Sequence, residues 1–182
     1  MANPNPQSHY VGPGIVQEVV SRTLSVIVDN EPGVLARVIG LFTARGYNID
    51  SLTVTETEHE KHVSRITIMT RGTSAVIEQI KHQLERLVPV HRVRDLTSEG
   101  ISLERELALV KVAGKGEKRI EALRMAEIFR AQVVDTSTEH FVFEITGKAS
   151  KIETFIGLMR ELGLVEVSRT GVAAIGRGAA AM

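Results

Sequence analysis

The chain has 182 residues, with 22 Lys+Arg against 22 Asp+Glu, 43% hydrophobic and 4% aromatic residues, and neither Cys nor Trp. Zero net charge argues against a dedicated nucleic-acid binder, which needs a cationic excess to displace counterions; the missing Cys excludes a disulfide scaffold, a thiolate nucleophile and a Cys-ligated zinc. The apolar content suffices for a core, no run of about 18 apolar residues offers a membrane span, and the length suits one ordinary domain or two small ones.

Residues 1–20 are rich in Asn, Pro, Gly and Ser and contain no Lys or Arg. They have neither the basic start nor the apolar middle of a leader peptide, so they read as a mobile arm, and with the missing Cys they suggest a cytoplasmic protein. Thr23–Val28 places Leu24, Val26 and Val28 on one face, the period of a half-buried strand. Asp29 to Gly33 makes a turn, and Pro32 suits the entry to a helix whose stripe is Val34, Leu35, Val38, Ile39 and Phe42. Gly46 is placed for its left-handed C-terminal cap. Strands Leu52–Thr57 and Val63–Thr70 flank the polar turn Glu58–Lys61. A helix opened by Gly72, Thr73 and Ser74 carries Val76, Ile77, Ile80, Leu84 and Leu87, and a strand follows over Val90–Leu96. The order is β-α-β-β-α-β, a ferredoxin-like sandwich.

After a short polar linker the same order repeats. The expected elements are a strand at Glu106–Val112, a helix at Glu117–Gln132, strands at Val133–Thr136 and Phe141–Thr146, a helix at Lys151–Leu162 and a strand at Leu164–Val167. The fold class is therefore α+β, two tandem ferredoxin-like units: an arm (1–20), a first domain (21–97), a linker (98–103), a second domain (104–171) and a Gly/Ala-rich tail (172–182) expected not to pack independently.

Catalytic groupings are hard to find. His59 and His62 stand three apart in a turn, whereas the helical zinc motif needs two His four apart. No G-x-S-x-G elbow occurs. Gly114-Lys115-Gly116 joins a strand to a helix without the phosphate-loop spacing and reads as a flexible turn. Arg86, His91, Arg92 and Arg94 are balanced by Glu85 and Asp95 and lack interleaved aromatics, so they fit a solvated or partner-facing strand. No metal ligands and no catalytic residues are assigned.

The segment Asn30–Ile49, N-E-P-G-V-L-A-R-V-I-G-L-F-T-A-R-G-Y-N-I, is the informative one. The N–H groups at the helix start, around Gly33, Val34 and Leu35, face the positive end of the helix dipole and suit a carboxylate. Gly33 lets a ligand approach the backbone. Asn30 has an amide that serves equally as a cap or as an acceptor for an ammonium group. Leu35 and Ile49 suit an apolar pocket. An ordinary capped helix start accounts for these residues as well as a ligand site does.

N-E-P-G-V-L-x-R-V-I-G-L-F followed by R-G-Y-N-I-D-S-L-T-V, the helix and strand T-S-A-V-I-E-Q-I to V-R-D-L, and R-E-L-A-L-V-K-V with A-E-I-F-R-A-Q-V-V-D resemble the small, regulatory subunits of acetolactate synthase (acetohydroxyacid synthase) over about residues 21–178. The resemblance implies that the first domain is an ACT domain, dimerised by side-by-side joining of sheets. Asn30, Gly33, Val34 and Leu35 of one chain would then face Asn48 and Ile49 of the other around valine, the feedback effector. It implies no catalysis in this chain and no cofactor of its own. The partner would be the large catalytic subunit, with thiamine diphosphate, FAD and magnesium, and neither nucleic acid nor membrane. Pro32 stands where some members carry Ser, which stiffens the turn and removes no expected contact. Two other readings are a free-standing tandem amino-acid sensor and an acylphosphatase-like hydrolase using the Gly114 turn.

Overall fold

The computed structural model describes residues 18–58, 62–98 and 102–179. The first unit runs β1 (Val20–Asp29), α1 (Val34–Arg45), β2 (Ser51–Glu58), β3 (Val63–Gly72), α2 (Ser74–Glu85) and β4 (Val90–Asp95). Its antiparallel sheet has the order β2-β3-β1-β4, leaving β2 and β4 at the edges. The second unit runs β5 (Ser102–Val112), α3 (Glu117–Phe129), β6 (Gln132–Thr136), β7 (Phe141–Gly147), α4 (Ala149–Leu162) and β8 (Leu164–Arg169), and its sheet has the matching order β6-β7-β5-β8. A last strand, β9 (Ala173–Gly176), pairs with the beginning of β5.

Each unit packs two helices on one face of its sheet. Leu24, Val26 and Val28 of β1 meet Ile66 and Ile68 of β3 beneath Val38 and Phe42 of α1 and Ile77, Ile80 and Leu84 of α2. The second core repeats the plan with Ala108, Val110 and Val112 of β5, Phe143 and Ile145 of β7, and Ile152, Phe155 and Met159 of α4. Burying one such large side chain stabilises by about 1.5–3 kcal/mol, so the alternation in the strands and the helical stripes decides which face turns inward.

Several element limits differ from the sequence expectation, each for a local reason. Val20 belongs to β1 and not to the arm, because it pairs with Gly72. Ser102 and Leu103, expected in the linker, extend β5 because β9 comes back to pair with them. The tail contains β9 because Val172 and Ala174 find an apolar seat with Leu96, next to Met69 and Ala149. The helix α3 stops at Phe129 rather than reaching Gln132. Arg130 turns left-handed (φ 55), and its N–H and that of Ala131 bond back to the carbonyls of Glu127 and Ala126. His59, Glu60 and Lys61 lie outside the described residues; His62 closes that turn with φ 49.

The two units meet at a seam in which the apolar seat of Val172 and Ala174 is bordered by hydrogen bonds. The Val172 N–H donates to Ser51 Oγ at 2.9 Å, and Thr53 Oγ1 donates to the Val172 carbonyl at 2.6 Å. Thr23 Oγ1 donates to Glu104 Oε1 at 2.7 Å. Gly171 (φ 79) lies so near that an added Cβ would stand 2.8 Å from Ser51 Oγ. The sheet of the first unit thus touches the end of the second through the strand that follows Asn48 and Ile49.

Candidate effector site on the first unit

Gly33 is the residue that starts α1. Its φ of 85° is the left-handed conformation that favours glycine, and an added Cβ there would meet nothing within 4 Å. No side chain caps the helix. Asn30 lies three residues earlier, is exposed, and is tied down through its backbone, whose N–H donates to the His62 carbonyl at 2.7 Å. Of the two roles open to its amide, capping is not the one used.

The Val34 N–H reaches the Glu31 carbonyl at 3.3 Å, and the Arg37 N–H makes the first full helical turn to the Gly33 carbonyl at 3.1 Å. Helix geometry leaves the N–H groups of Leu35 and Ala36 between them without an intrahelical acceptor. The Val34 side chain is 4% exposed and belongs to the core, so only its backbone is available to a ligand. Leu35, at 37% exposed, presents an apolar side chain beside the open helix start. The first turn contains no acidic side chain, so the helix itself supplies no anion to the dipole end that a carboxylate would satisfy.

Asn48 and Ile49 precede β2. Asn48 Nδ2 donates to Asp50 Oδ1 at 2.6 Å, and Thr70 Oγ1 donates to the Asn48 carbonyl at 2.6 Å. Asp50 is in turn held by Arg71, whose Nε and Nη2 donate at 2.5 and 3.1 Å. Hydrogen bonding to Asp50 and its charge raise the Arg71 pKa above the ordinary guanidinium value. This chain of contacts fixes the Asn48 amide with a donor engaged, leaving its oxygen for an ammonium donor. Ile49 is half-buried against the first core. Asp50, Thr70 and Arg71 were not singled out from the sequence; the adjacency of Asn48 and Asp50 was the available signal.

One chain does not bring the two groups together. Asn30 to Leu35 follow β1 at the end of the sheet where Asp29 pairs with Val63, while Asn48 and Ile49 adjoin the opposite end, where Ser51 pairs with Met69. The helix α1 separates them, and its 12 residues span about 18 Å. The edge strand β2 runs from the second group towards the first. It is eight residues long, contains neither Pro nor Lys, and carries Val54 at 43% exposure.

The Gly114-Lys115-Gly116 turn is open at one end and packed at the other: an added Cβ on Gly116 (φ 57), the residue that starts α3, would meet nothing within 4 Å, and Glu117 follows in the first turn. A Cβ on Gly114 would stand 2.7 Å from the Leu162 carbonyl oxygen and 3.2 Å from the Arg119 nitrogen. The end of α4 thus packs on Gly114, while the start of α3 stays as open as that of α1 and differs from it in carrying an acidic side chain, Glu117. Among the described residues no cluster of His, Asp or Glu has the makings of a metal site, and no helix is long and apolar enough to cross a membrane.

The paired βαββαβ units, with an open, uncapped helix start in the first, define a tandem regulatory fold of the ACT type. Residues 24–92 match the AHAS small subunit-like ACT domain, and residues 105–178 match the small subunit of acetolactate synthase. The chain belongs to the family of acetolactate synthase small subunits. It is 46% identical over 159 residues to a probable acetolactate synthase small subunit of Archaeoglobus fulgidus, covering 87% of this chain and 98% of that one. It is 45% identical over 158 residues to the acetolactate synthase isozyme 3 small subunit of Escherichia coli, covering 86% and 96%. The crystal structure of the acetolactate synthase small subunit from Thermotoga maritima superposes with a TM-score of 0.78 at 40% identity, covering 88% of this chain and 99% of that one.

Proposed function

We propose that this chain is the valine-sensing regulatory subunit of acetolactate synthase in branched-chain amino-acid biosynthesis. It activates a large catalytic subunit that holds thiamine diphosphate, FAD and magnesium, and it confers feedback inhibition without a cofactor or catalytic residue of its own. Two copies join antiparallel along β2 in an isologous contact. The single observation that carries this reading is the separation of the two residue groups. A two-fold axis across an antiparallel β2 pair sets the start of one β2 against the end of the other, so Asn48 and Ile49 of one copy approach Asn30, Gly33, Val34 and Leu35 of the second. The effector carboxylate takes the helix start, its ammonium group lies between the Asn30 and Asn48 oxygens, and its isopropyl group packs on Leu35 and Ile49.

Burying that isopropyl group contributes about 1.5–3 kcal/mol. A ligand bridging two copies favours the dimer geometry that it fits, and it shifts the equilibrium only by its differential affinity for the two states. The test is reconstitution with the purified large subunit, with and without valine. The expected result is a gain in acetolactate synthesis that valine reverses. Gly33→Asp should abolish valine binding by calorimetry, because its carboxylate occupies and repels the place of the ligand's own. Unchanged valine binding in that variant would sink the site.

A further inference from the structure

A groove of ≈ 460 Å³ runs between α1 and α2 on the side of the first unit away from its sheet. Its floor is apolar, from Leu41 and Leu87, and its rim carries Arg37, Arg45 and Arg86. These arginines make no ion pair among the described residues, and no carboxylate lines the groove. Arg37 and Arg45 are the only charged residues of α1 and sit eight positions apart, about 12 Å along the helix. Arg45 in the last turn of α1 and Arg86 at the C-cap of α2 also complement their helix dipoles. Arg37 does not, because it stands in the first turn, where the dipole opposes a cation. In a chain with equal numbers of acidic and basic residues, three unpaired guanidinium groups around one apolar strip are a local excess. Beside it, Val88 stands 94% exposed directly after Leu87.

We infer that this groove receives an acidic segment of the large catalytic subunit, with an apolar side chain entering between Leu41 and Leu87 and flanking carboxylates meeting the arginines. The inference rests on the regulatory reading above. The open shape and apolar floor favour a protein segment; a nucleic-acid surface would offer aromatic side chains for stacking, and none lines this groove. Arginine at such a rim gives bidentate pairing with carboxylates and a salt-dependent association rate.

The test is binding of the full chain to the purified large subunit, measured by surface plasmon resonance across a salt series. Arg45→Glu/Arg86→Glu should weaken binding by roughly ten-fold or more and flatten its salt dependence. Arg45 lies at the far end of α1 from Gly33 and neither arginine is among the proposed effector contacts, so valine affinity should stay unchanged, which reports on folding; the exposed single variant Arg45→Glu serves if the double variant unfolds. Undiminished affinity in these variants, with the wild type binding, overturns the groove alone. A wild type that does not bind the large subunit removes the regulatory reading and the groove's occupant together. Loss of binding to duplex DNA or anionic vesicles, with large-subunit binding intact, also overturns it.

Discussion

In both halves the chain leaves the central strand of its sheet and enters a helix through a positive-φ glycine with open space above it, Gly33 (φ 85) and Gly116 (φ 57), yet the two helix starts differ in charge. The first turn of α1 contains no acidic side chain, while that of α3 contains Glu117, and the residues leading into α3 are tighter: an added Cβ on Gly114 would stand 2.7 Å from the Leu162 carbonyl oxygen. Topology therefore does not make a ligand site. Nor does free space alone: the dipole end of α1 is left open to a carboxylate, whereas Glu117 already stands in the first turn of α3. A second contrast lies in the ion pair that ties the first strand of each unit to its last. In the first unit Arg22 of β1 faces Asp95 of β4; in the second, Glu106 of β5 faces Arg169 of β8. The registers Leu24↔Asp95 and Ala108↔Arg169 make these equivalent positions with their signs exchanged.

The largest expected effect comes from that exchange. Glu106 is 5% exposed, and both of its oxygens depend on Arg169, at 2.9 and 2.8 Å. Arg169 also holds Glu153 at 3.1 Å, and its pKa is raised, chiefly by the hydrogen bond to Glu106. Removing one partner of a buried pair costs about 3–5 kcal/mol because the other charge is left uncompensated, and the partial exposure of Arg169 favours the lower figure. Arg169→Ala should therefore lower stability by about 3 kcal/mol in chemical denaturation, with the loss confined to the second unit by hydrogen exchange.

The glycine contrast gives a smaller effect. Gly114→Ala forces the end of α4 or the turn to move and should cost about 1–3 kcal/mol, with valine affinity unchanged. Gly33→Ala meets no neighbour and should cost only the strain of its left-handed conformation, about 1–2 kcal/mol, but its Cβ enters the ligand's approach and should weaken valine binding. Calorimetry and denaturation on the same two proteins check this; equal losses of valine affinity would break the contrast.

The sequence made the fold legible wherever a single period was strong. Leu24, Val26 and Val28 of the first strand, Val34, Val38 and Phe42 of the first helix and the stripe Ile152 to Met159 all fall on buried faces. It did not reveal β9, because Ala173–Gly176 has no alternation of its own and becomes a strand through a distant partner, the start of β5. For the candidate site, the expectation for Asn30, Gly33 and Leu35 came from helix-start chemistry and the motif, and the burial of Val34 from its place in the stripe, but the Asp50 and Arg71 contacts that support Asn48 were not legible. They depend on contacts across strands, as does the arginine groove, whose walls come from two helices.

The smallest effect separates the two ion pairs most sharply. Asp95 is 1% exposed, which by burial alone suggests as heavy a dependence on its arginine as Glu106 has. Its contacts differ: Oδ1 accepts from the N–H groups of Thr97 and Ser98 at 2.9 and 3.0 Å, and Arg22 stands off at 3.7 Å. Backbone donors satisfy this carboxylate, and the cation is an accessory to them. Arg22→Ala should then cost about 1 kcal/mol, the net worth of one long contact to a carboxylate that keeps its backbone donors, whereas Asp95→Ala should cost more by orphaning two N–H groups where the chain leaves β4. Denaturation of both variants decides it. If Arg22→Ala proves as damaging as Arg169→Ala, the carboxylate depends on its cation in both units, and the exchanged signs have no consequence for how each unit is held.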